Sequence, residues 1–519
     1  MESGSRLVLG RREFLRTGVA GAAAVVLPSA GARARARSVR FSAYPFSLGV
    51  ASGEPGASEV VLWTRLAPRP LDPDGGMPPS PVDVRWQIAV DERFRRVVRE
   101  GRVTATPELA HSVHAEVTGL RPRARYFYRF IAGDVVSPVG RTQTLPEQGR
   151  HVGEFALAVA CCARFEEGYY VAYRDMAAQE LDLVIHVGDY IYENFYDTGV
   201  RASQVPADQQ RTVSDLTGYR LRHALGKSDP DLRAAHAAHP WAMILDNHDA
   251  VEDDHRDPAT LARRAAAYQA YYEHMPMRRT SLPDGPSMQI YHRIAVGDLI
   301  ELDLLDTRQF RDDETVCGQT EPPNIGPRCS AGADPAHTML GSEQEQWLTD
   351  GLARSSARWN AIVQTVLFAP FNFAPNSPTG EYYDSGWNGY PAERQRILDA
   401  IDTIGPSNPL MFSGDWHTAW VNNLNANAED LSSKVLATEF AATAVSSDPA
   451  FTDQRSRPEI SANADVRYYD ARNGYIRCRA DHRHWHTDFV TVDAKDPAST
   501  ANLASRWVLE AGRAVAQRA

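Results

Sequence analysis

Six long apolar runs, each ending in polar residues, constrain the fold of this chain more than any other feature. They cover residues 155–162, 181–189, 241–249, 299–308, 361–370 and 410–417. Continuous apolar runs of this length predict strands that are buried on both faces of a sheet. Helical patterns lie between them, at residues 168–179, 215–239, 259–274 and 392–401, with a capping-box start at 342–345. Together they predict a layered α/β domain.

The first third of the chain has a different rhythm. Val82, Val84, Trp86 and Ile88 alternate with more polar residues, and this period of two predicts half-buried antiparallel strands. Residues 118–122, followed by the aromatic stretch 126–128, are similar to a turn and strand of fibronectin-type modules. We therefore predict a small all-β sandwich, fibronectin-like or immunoglobulin-like, over residues 41–147, and place the α/β domain at residues 153–519.

The first 36 residues have the composition of an export signal. Arg11 and Arg12 stand directly before Phe-Leu, a weakly apolar run follows, and small residues precede residue 37. Paired arginines in this setting resemble the twin-arginine signal, and the apolar run is too short to span a bilayer. We expect a soluble protein exported by the twin-arginine machinery to the periplasm, cell wall or medium, with cleavage after Ala34 or Ala36.

Charge excludes one large class of partners. The chain has 55 Lys plus Arg and 66 Asp plus Glu, which gives a formal net charge of −11. Nucleic-acid binding requires a clustered excess of cations, so no nucleic-acid-binding surface is expected. The hydrophobic content of 43% predicts an ordinary folded core, and we expect a monomer.

Five cysteines are an odd number for an exported chain. Cys317 and Cys329 flank a loop rich in Gly and Pro that has little other means of order, and a disulfide is predicted there. Adjacent cysteines rarely bridge each other. One of Cys161 and Cys162 is therefore expected to pair with Cys478, which leaves the other for chemistry.

Four of the predicted strand ends carry side chains that bind metals. Residues 161–162, 188–192, 246–249 and 414–417 read Cys-Cys, Gly-Asp-Tyr-Ile-Tyr, Asp-Asn-His-Asp and Gly-Asp-Trp-His. Each motif alone is more typical of a turn or a helix cap. Ligands bind beyond the carboxyl ends of strands in such sheets, and thiolate, phenolate and imidazole favour a transition metal. Together the four ends predict a metal site.

These motifs resemble the calcineurin-like metallophosphoesterases, and more fully the alkaline phosphatase D family. The blocks that carry the resemblance are residues 46–53, 61–65, 162–173, 186–193, 305–311 and 411–420. Two departures are visible. The family's usual Asp-Asp-His-Glu is Asp-Asn-His-Asp at residues 246–249, and its Ser-Cys-Gln is Cys-Cys-Ala at residues 161–163.

The resemblance implies a ferric ion (Fe³⁺) and calcium (Ca²⁺). The implied iron ligands are Cys162, Asp189, Tyr192 and His417; the implied calcium ligands are Asp189, Asn247 and Asp415. Hard oxygens suit calcium, and softer donors suit iron. Cys162 is preferred to Cys161 because its spacing to Gly168 matches the family, and Cys161 then becomes the candidate partner of Cys478.

The implied activity is hydrolysis of phosphate mono- or diesters by metal-bound hydroxide. The substrate is expected to be a small phosphate ester or a phospholipid. Asp189 and His248 are the catalytic candidates, with His248 placed to protonate the leaving oxygen. Arg164 and Arg308 are candidates for phosphate contact, although ordinary salt bridges are as plausible for both.

Three other interpretations were weighed. A phosphodiesterase or phospholipase D-type enzyme of the same family shares these motifs. A calcium-dependent extracellular binding protein would have closed metal sites, whereas the extra His248 favours an open one. An iron oxidoreductase is disfavoured because no second cofactor motif is present. Alternating histidines at residues 482, 484 and 486 also suggest a metal site. The simpler interpretation is that alternate residues of a strand share one face of a sheet.

Overall fold

A computed structural model of the protein describes residues 40–250, 257–318, 324–449 and 459–519. The predicted export signal lies outside these ranges. The described residues belong to one compact unit. Within them, no helix is both long and apolar enough to cross a membrane.

The described residues form strands β1–β24 and helices α1–α7. The strands are β1 Val50–Gly53, β2 Val60–Arg65, β3 Val82–Ala89, β4 Val97–Ala105, β5 Ser112–Val117, β6 Arg125–Ala132, β7 Val135–Val136, β8 Gly140–Gln143, β9 Phe155–Ala160, β10 Leu183–Val187, β11 Pro240–Ile244, β12 His292–Val296, β13 Ile300–Leu304, β14 Ile325–Gly326, β15 Trp359–Val363, β16 Tyr382–Tyr383, β17 Pro409–Ser413, β18 Ala419–Asn425, β19 Val435–Ala441, β20 Val466–Asp470, β21 Gly474–Ala480, β22 His484–Thr491, β23 Asn502–Glu510 and β24 Gln517–Arg518. The helices are α1 Val171–Ala178, α2 Leu216–Lys227, α3 Pro230–Ala238, α4 Asn247–Ala250, α5 Pro258–His274, α6 Gly341–Arg354 and α7 Pro391–Ile404. Short 3-10 turns occur at Pro107–Leu109, Ala202–Gln204, Ala207–Gln209, Arg279–Ser281, Glu314–Cys317 and Trp387–Gly389.

Two mixed sheets form the centre of the molecule. One has ten strands in the order β24-β23-β22-β21-β9-β10-β11-β1-β2-β5, and the other has seven in the order β12-β13-β15-β17-β19-β18-β20. The predicted apolar runs supply the parallel strands β9, β10 and β11 of the first sheet and β13, β15 and β17 of the second. All six are buried along most or all of their length.

The two sheets pack face to face through aromatic side chains. Trp485 of the ten-stranded sheet lies 5.8 Å from Trp359 and 5.9 Å from Phe412 of the other sheet, between ring centroids. Ile362 and Met411 belong instead to the core that the seven-stranded sheet shares with α6 and α7. Helices α1, α2, α3 and α5 pack with the ten-stranded sheet. This confirms an α/β layered arrangement.

The N-terminal region is all-β, and it shares a sheet with the α/β part. Strands β1, β2 and β5 extend the ten-stranded sheet, where β1 runs parallel to β11. Strands β3, β4, β6, β7 and β8 form a separate five-stranded sheet. Residues of both sheets, such as Leu62 and Tyr128, lie in one core. The two β layers therefore form a sandwich, and one of these layers continues into the α/β part.

Two helix predictions differ from the structure. The stretch 215–239 is two helices, because Asp229 caps α3 by accepting from Asp231 N and Pro230 begins the new helix. The predicted capping box at residues 342–345 is wrong. Helix α6 begins at Gly341 without a side-chain cap from its own N-cap residue. Glu393 of α7 accepts from the amides of Met339 and Leu340 just before it.

The disulfide prediction is confirmed for one pair and wrong for the other. Cys317 and Cys329 form a disulfide. Cys161 and Cys478 are both free and buried. Cys478 pairs across the sheet with Leu157, four residues before Cys161, which places the two cysteines about 13 Å apart along the strand direction. A disulfide requires Cα atoms within about 7 Å.

Candidate metal centre

Four chain segments meet beyond the carboxyl ends of the central strands. Cys162 follows β9, Asp189 follows β10, Asn247 begins α4 after β11, and Asp415 and His417 follow β17. The first two segments remain paired past their strands. Cys162 N donates to Gly188 O at 3.1 Å, and Ala163 N donates to Asp189 O at 2.9 Å. These bonds fix the first two donor-bearing turns against each other.

The backbone at this edge is strained where the donors lie. Cys162, Asp189, Asp415 and His417 have φ angles of 57°, 54°, 65° and 54°. The left-handed region costs a non-glycine residue roughly 1–2 kcal/mol. Gly188 has a φ of 93°, and a Cβ at this position would lie 2.2 Å from Asp246 Cβ. Such strain at four of the six predicted ligands indicates a functional requirement for their orientation.

Four side chains converge in the buried centre of this edge. Ligand atoms of Cys162, Asp189 and His417 lie within 4.8 Å of one another. The Tyr192 hydroxyl lies 2.9 Å from Asp189 Oδ2 and 2.9 Å from His417 Nε2. His417 Nδ1 lies 2.6 Å from Asp448 O. Donation of the Nδ1 proton to that carbonyl leaves Nε2 free to act as a ligand.

The charge balance of these donors fits a bound cation. Burial raises the pKa of Cys162 and of Tyr192 well above their usual values, and neighbouring Asp189 raises both further. Burial raises the pKa of Asp189 to about 6 and lowers that of His417 to about 4. A thiol, a phenol and a carboxyl packed together lose their protons readily only when a positive charge lies among them. The residues present therefore fit a metal ion.

Arg308 bridges two of the acidic groups of the site. Its side chain is 2% exposed, bonds to Asp246 through Nε, and lies 3.5 Å from Asp415 Oδ1 through NH2. Arg308, which was predicted to contact phosphate, thus contacts two carboxylates in this structure. Asn247 lies half-buried at the start of α4, next to His248.

His248 is held by a carboxylate that sequence inspection did not single out. Its backbone N donates to Asp189 Oδ1 at 3.2 Å, and its Nδ1 lies 2.7 Å from Glu193 Oε2. Arg263 contacts the other oxygen of Glu193 at 3.2 Å. Burial lowers the pKa of His248, but Asp189 and Glu193 outweigh burial and raise the pKa to about 9. The imidazolium form is favoured, as a proton donor requires.

Arg164 covers the centre from the side of Tyr192. Its guanidinium carbon lies 3.9 Å from the centroid of the Tyr192 ring, and its NH1 donates to Asn194 Oδ1 at 2.8 Å. The side chain is mostly buried. It is well placed to stabilise negative charge near the phenol.

Two further residues support the site without being among its predicted ligands. Asp249 accepts from the amides of Tyr190 and Ile191 and thereby holds the turn that carries the predicted ligands of β10. Ser447 Oγ lies 2.9 Å from Cys162 O and 3.1 Å from the Tyr192 hydroxyl, within hydrogen-bond distance of both. Asp249 was visible as the last residue of the Asp-Asn-His-Asp motif, whereas nothing near Ser447 in the sequence points to the site.

Comparison with known proteins agrees with this architecture. Residues 157–489 match the model of the PhoD-like phosphatase family, and residues 31–146 match that of the PhoD-like phosphatase N-terminal domain. The chain is 42% identical to alkaline phosphatase D of Bacillus subtilis (strain 168) over 485 residues, which cover 91% of this chain and 82% of the relative. A solved structure of PhoD superposes with a TM-score of 0.86 at 40% identity and covers 92% of this chain and 93% of its own.

The fold, the convergent donors and these similarities define the chain as a phosphoric ester hydrolase. Within that class, it belongs to the PhoD-like phosphatase family. The predicted family resemblance and the enzymatic interpretation are confirmed.

Proposed function

We propose that this phosphoesterase hydrolyses phosphate monoesters and diesters at the centre around Asp189, with Fe³⁺ and Ca²⁺ as resident ions. Cys162, Asp189, Tyr192 and His417 would hold the iron. Asp189, Asn247 and Asp415 would hold the calcium. When bound, the ions supply Lewis acidity, which lowers the pKa of water and offsets charge on the ester phosphate.

The residues of the chain supply the remaining functions. His248, which Glu193 keeps protonated and oriented, donates a proton to the oxygen of the leaving alcohol. Asp189 anchors the His248 backbone through the 3.2 Å bond to its amide, so the proton donor and the ion-binding carboxylate move together. Arg164 faces the centre over the Tyr192 ring and orients the phosphate. Arg308 bridges Asp246 and Asp415 and is proposed to contact phosphate from that side.

One observation carries the metal assignment. The ligand atoms of Cys162, Asp189 and His417 lie within 4.8 Å, and each of these residues pays the cost of a left-handed backbone. A thiol, a carboxyl and an imidazole held this close in these conformations are typical of a transition-metal site.

The test is metal analysis combined with visible absorption of the exported protein. We expect one iron per chain and a coloured protein, because phenolate and thiolate bound to Fe³⁺ give charge-transfer bands. Tyr192→Phe should shift or remove the colour together with the activity. Tyr190→Phe is the matched control, since its hydroxyl contacts His236 instead, at 2.7 Å. A colourless, iron-free and fully active protein would refute the iron assignment.

Substrate breadth is proposed from the surroundings of Trp416. This residue lies between Asp415 and His417, and it packs on rings of the loop at residues 371–383. Centroid distances are 5.5 Å to Phe371, 5.7 Å to Phe373 and 6.1 Å to Tyr383. Trp416 and Phe371 are buried, whereas Phe373 and Tyr383 are half-buried beside them. These two rings would suit a bulky apolar ester group better than a sugar or an ion.

Broad specificity can be tested on one preparation with three substrates. We expect hydrolysis of an aryl phosphate monoester and of a bis-aryl diester at alkaline pH, with kcat/KM at least as high for the diester. Strict monoesterase behaviour would overturn this proposal. Turnover of phosphatidylcholine far above both aryl substrates would place the phospholipase D-type interpretation first.

The domain boundaries and the export route are also proposals. We infer a cleaved twin-arginine signal at residues 1–36, a fibronectin-like sandwich at residues 41–147, and a metallophosphoesterase-type domain at residues 153–519, in a monomer secreted or retained in the periplasm or cell wall. The two family models support a division near residue 150.

A further inference from the structure

Three potential ligands meet at the end of the sheets opposite the metal centre. His151 precedes β9, Asp298 lies in the turn between β12 and β13, and His482 lies in the turn between β21 and β22. Ala480, just before His482, pairs with Phe155 at the start of β9. Cys162 lies seven residues further along that strand direction, which is about 20 Å away. The three residues therefore do not belong to the metal centre described above.

Their spacing matches that of ligands around one ion. Asp298 Oδ2 lies 3.3 Å from His151 Nδ1, and Asp298 Oδ1 lies 3.2 Å from His482 Nε2. Ligand atoms of all three residues lie within 4.8 Å of one another. A tetrahedral zinc ion with bonds of about 2.0–2.1 Å separates its ligand atoms by roughly 3.4 Å. The distances between these atoms are therefore in the range that one ion requires.

The surrounding backbone holds the three residues in place. Asp298 Oδ1 accepts from Val152 N at 3.0 Å, next to His151. Asp298 N donates to Arg150 O at 2.9 Å on the other side of that histidine. His482 O accepts from Arg358 Nε at 2.8 Å. Neighbours on three segments thus fix the cluster. Binding of an ion would therefore cost little conformational entropy of the chain.

One nitrogen in this cluster has no hydrogen bond. His482 Nε2 is inaccessible to water and, despite its 3.2 Å distance to Asp298 Oδ1, forms no hydrogen bond of acceptable geometry. The two imidazole rings are stacked, with centroids 4.7 Å apart and planes inclined by 20°. His482 Nε2 thus faces the carboxylate without a hydrogen bond, and rotation of the exposed His151 ring out of the stack would direct both imidazole nitrogens at one ion.

We propose that His151, Asp298 and His482 form a second metal site that takes one divalent transition ion of the zinc class. Two imidazoles and one carboxylate are typical zinc ligands, with the fourth position left to water. The site joins a turn of each large sheet to the segment that leads into β9, so its effect is on stability. The three alternating histidines at residues 482–486 therefore have different surroundings. His482 belongs to this cluster, whereas the rings of His484 and His486 lie 5.7 Å from each other.

The experiment is a titration of the purified, metal-loaded enzyme with Zn²⁺ by isothermal titration calorimetry, followed by thermal unfolding. We expect one equivalent of Zn²⁺ to bind and Tm to rise by about 2 °C or more at saturation. His151→Ala and His482→Ala should each lose both effects and keep the wild-type rate of ester hydrolysis. His484→Ala is the matched control and should retain both.

His151 is a safe position to change because 73% of its side chain is exposed. Co²⁺ provides a second measurement, since a tetrahedral site gives visible bands that the His151→Ala variant should lack. Binding of the same equivalent of Zn²⁺ by His151→Ala and His482→Ala would overturn the proposal, as would its loss in His484→Ala. Failure of the iron or calcium assignment would leave these results unchanged, because the ligands are different.

Discussion

The bond between His248 and Glu193 allows a direct test of proton donation to the leaving group. It joins Nδ1 and Oε2 at 2.7 Å with both side chains largely buried. A charge-assisted bond of this kind contributes about 1.5–3 kcal/mol, and a neutral one about 0.5–1.5 kcal/mol. Glu193→Gln keeps the shape and removes the charge. The midpoints of the two ranges differ by about 1.25 kcal/mol, which predicts a roughly eightfold loss of kcat.

His248→Ala removes the proton donor itself and should cost about 10²–10⁴-fold. The loss should depend on the leaving group. Phenol, with a pKa near 10, is a poor leaving group without a proton, whereas 4-nitrophenolate leaves readily. The assay is kcat/KM for phenyl phosphate and 4-nitrophenyl phosphate at one pH, with metal content verified for every variant.

We expect His248→Ala to lose far more activity on phenyl phosphate than on the nitrophenyl ester, and Glu193→Gln to show the same bias more weakly. The double variant should be no worse than His248→Ala, because Glu193 acts through the histidine. Equal losses on both substrates would refute proton donation, because the backbone bond from His248 to Asp189 is retained in His248→Ala.

Three other outcomes are expected. Lys227 is buried against His236, and burial lowers its pKa to about 7; the unfolded chain binds more protons at this residue, so Lys227 should add about 2 kcal/mol to the unfolding free energy from pH 7 to 9. The raised pKa of His248 acts in the opposite direction over the same range, so the quantity to measure is the difference between wild type and Lys227→Met in urea unfolding. EGTA should abolish turnover, with recovery on adding calcium but not zinc; unchanged activity after long chelation would contradict an accessible calcium. Replacing Arg11 and Arg12 with Lys should leave the protein in the cytoplasm by cell fractionation, and normal export would exclude the twin-arginine route.

Local patterns predicted the parts of the site that lie directly on strand ends. The apolar runs indicated where strands stop, and Cys162, Asp189 and His417 follow those stops, so their convergence was accessible from the sequence. A buried strand can be recognised from its own length and apolar character, without knowledge of the strands beside it. The same reasoning succeeded for Cys317 and Cys329 because the loop between them is short.

Long-range partners were not accessible in the same way. Cys161 and Cys478 were paired by elimination, and only the antiparallel register of β21 on β9 shows that they lie too far apart along the sheet. Glu393 replaces the expected cap of α6 from a helix about 50 residues later. Such partners depend on how layers stack, which periodicity does not encode.

The parallel pairing of β1 with β11 has a consequence for how this protein can be divided. Ser52 and Gly53 pair with Pro240 and Trp241 at the start of β11. A fragment that begins at residue 153 would leave β11 as an open edge, with unpaired backbone groups and buried residues on both of its faces. Edges of this kind recruit other chains. The catalytic part should therefore aggregate when produced alone. It requires the N-terminal strands in the same chain to be stable.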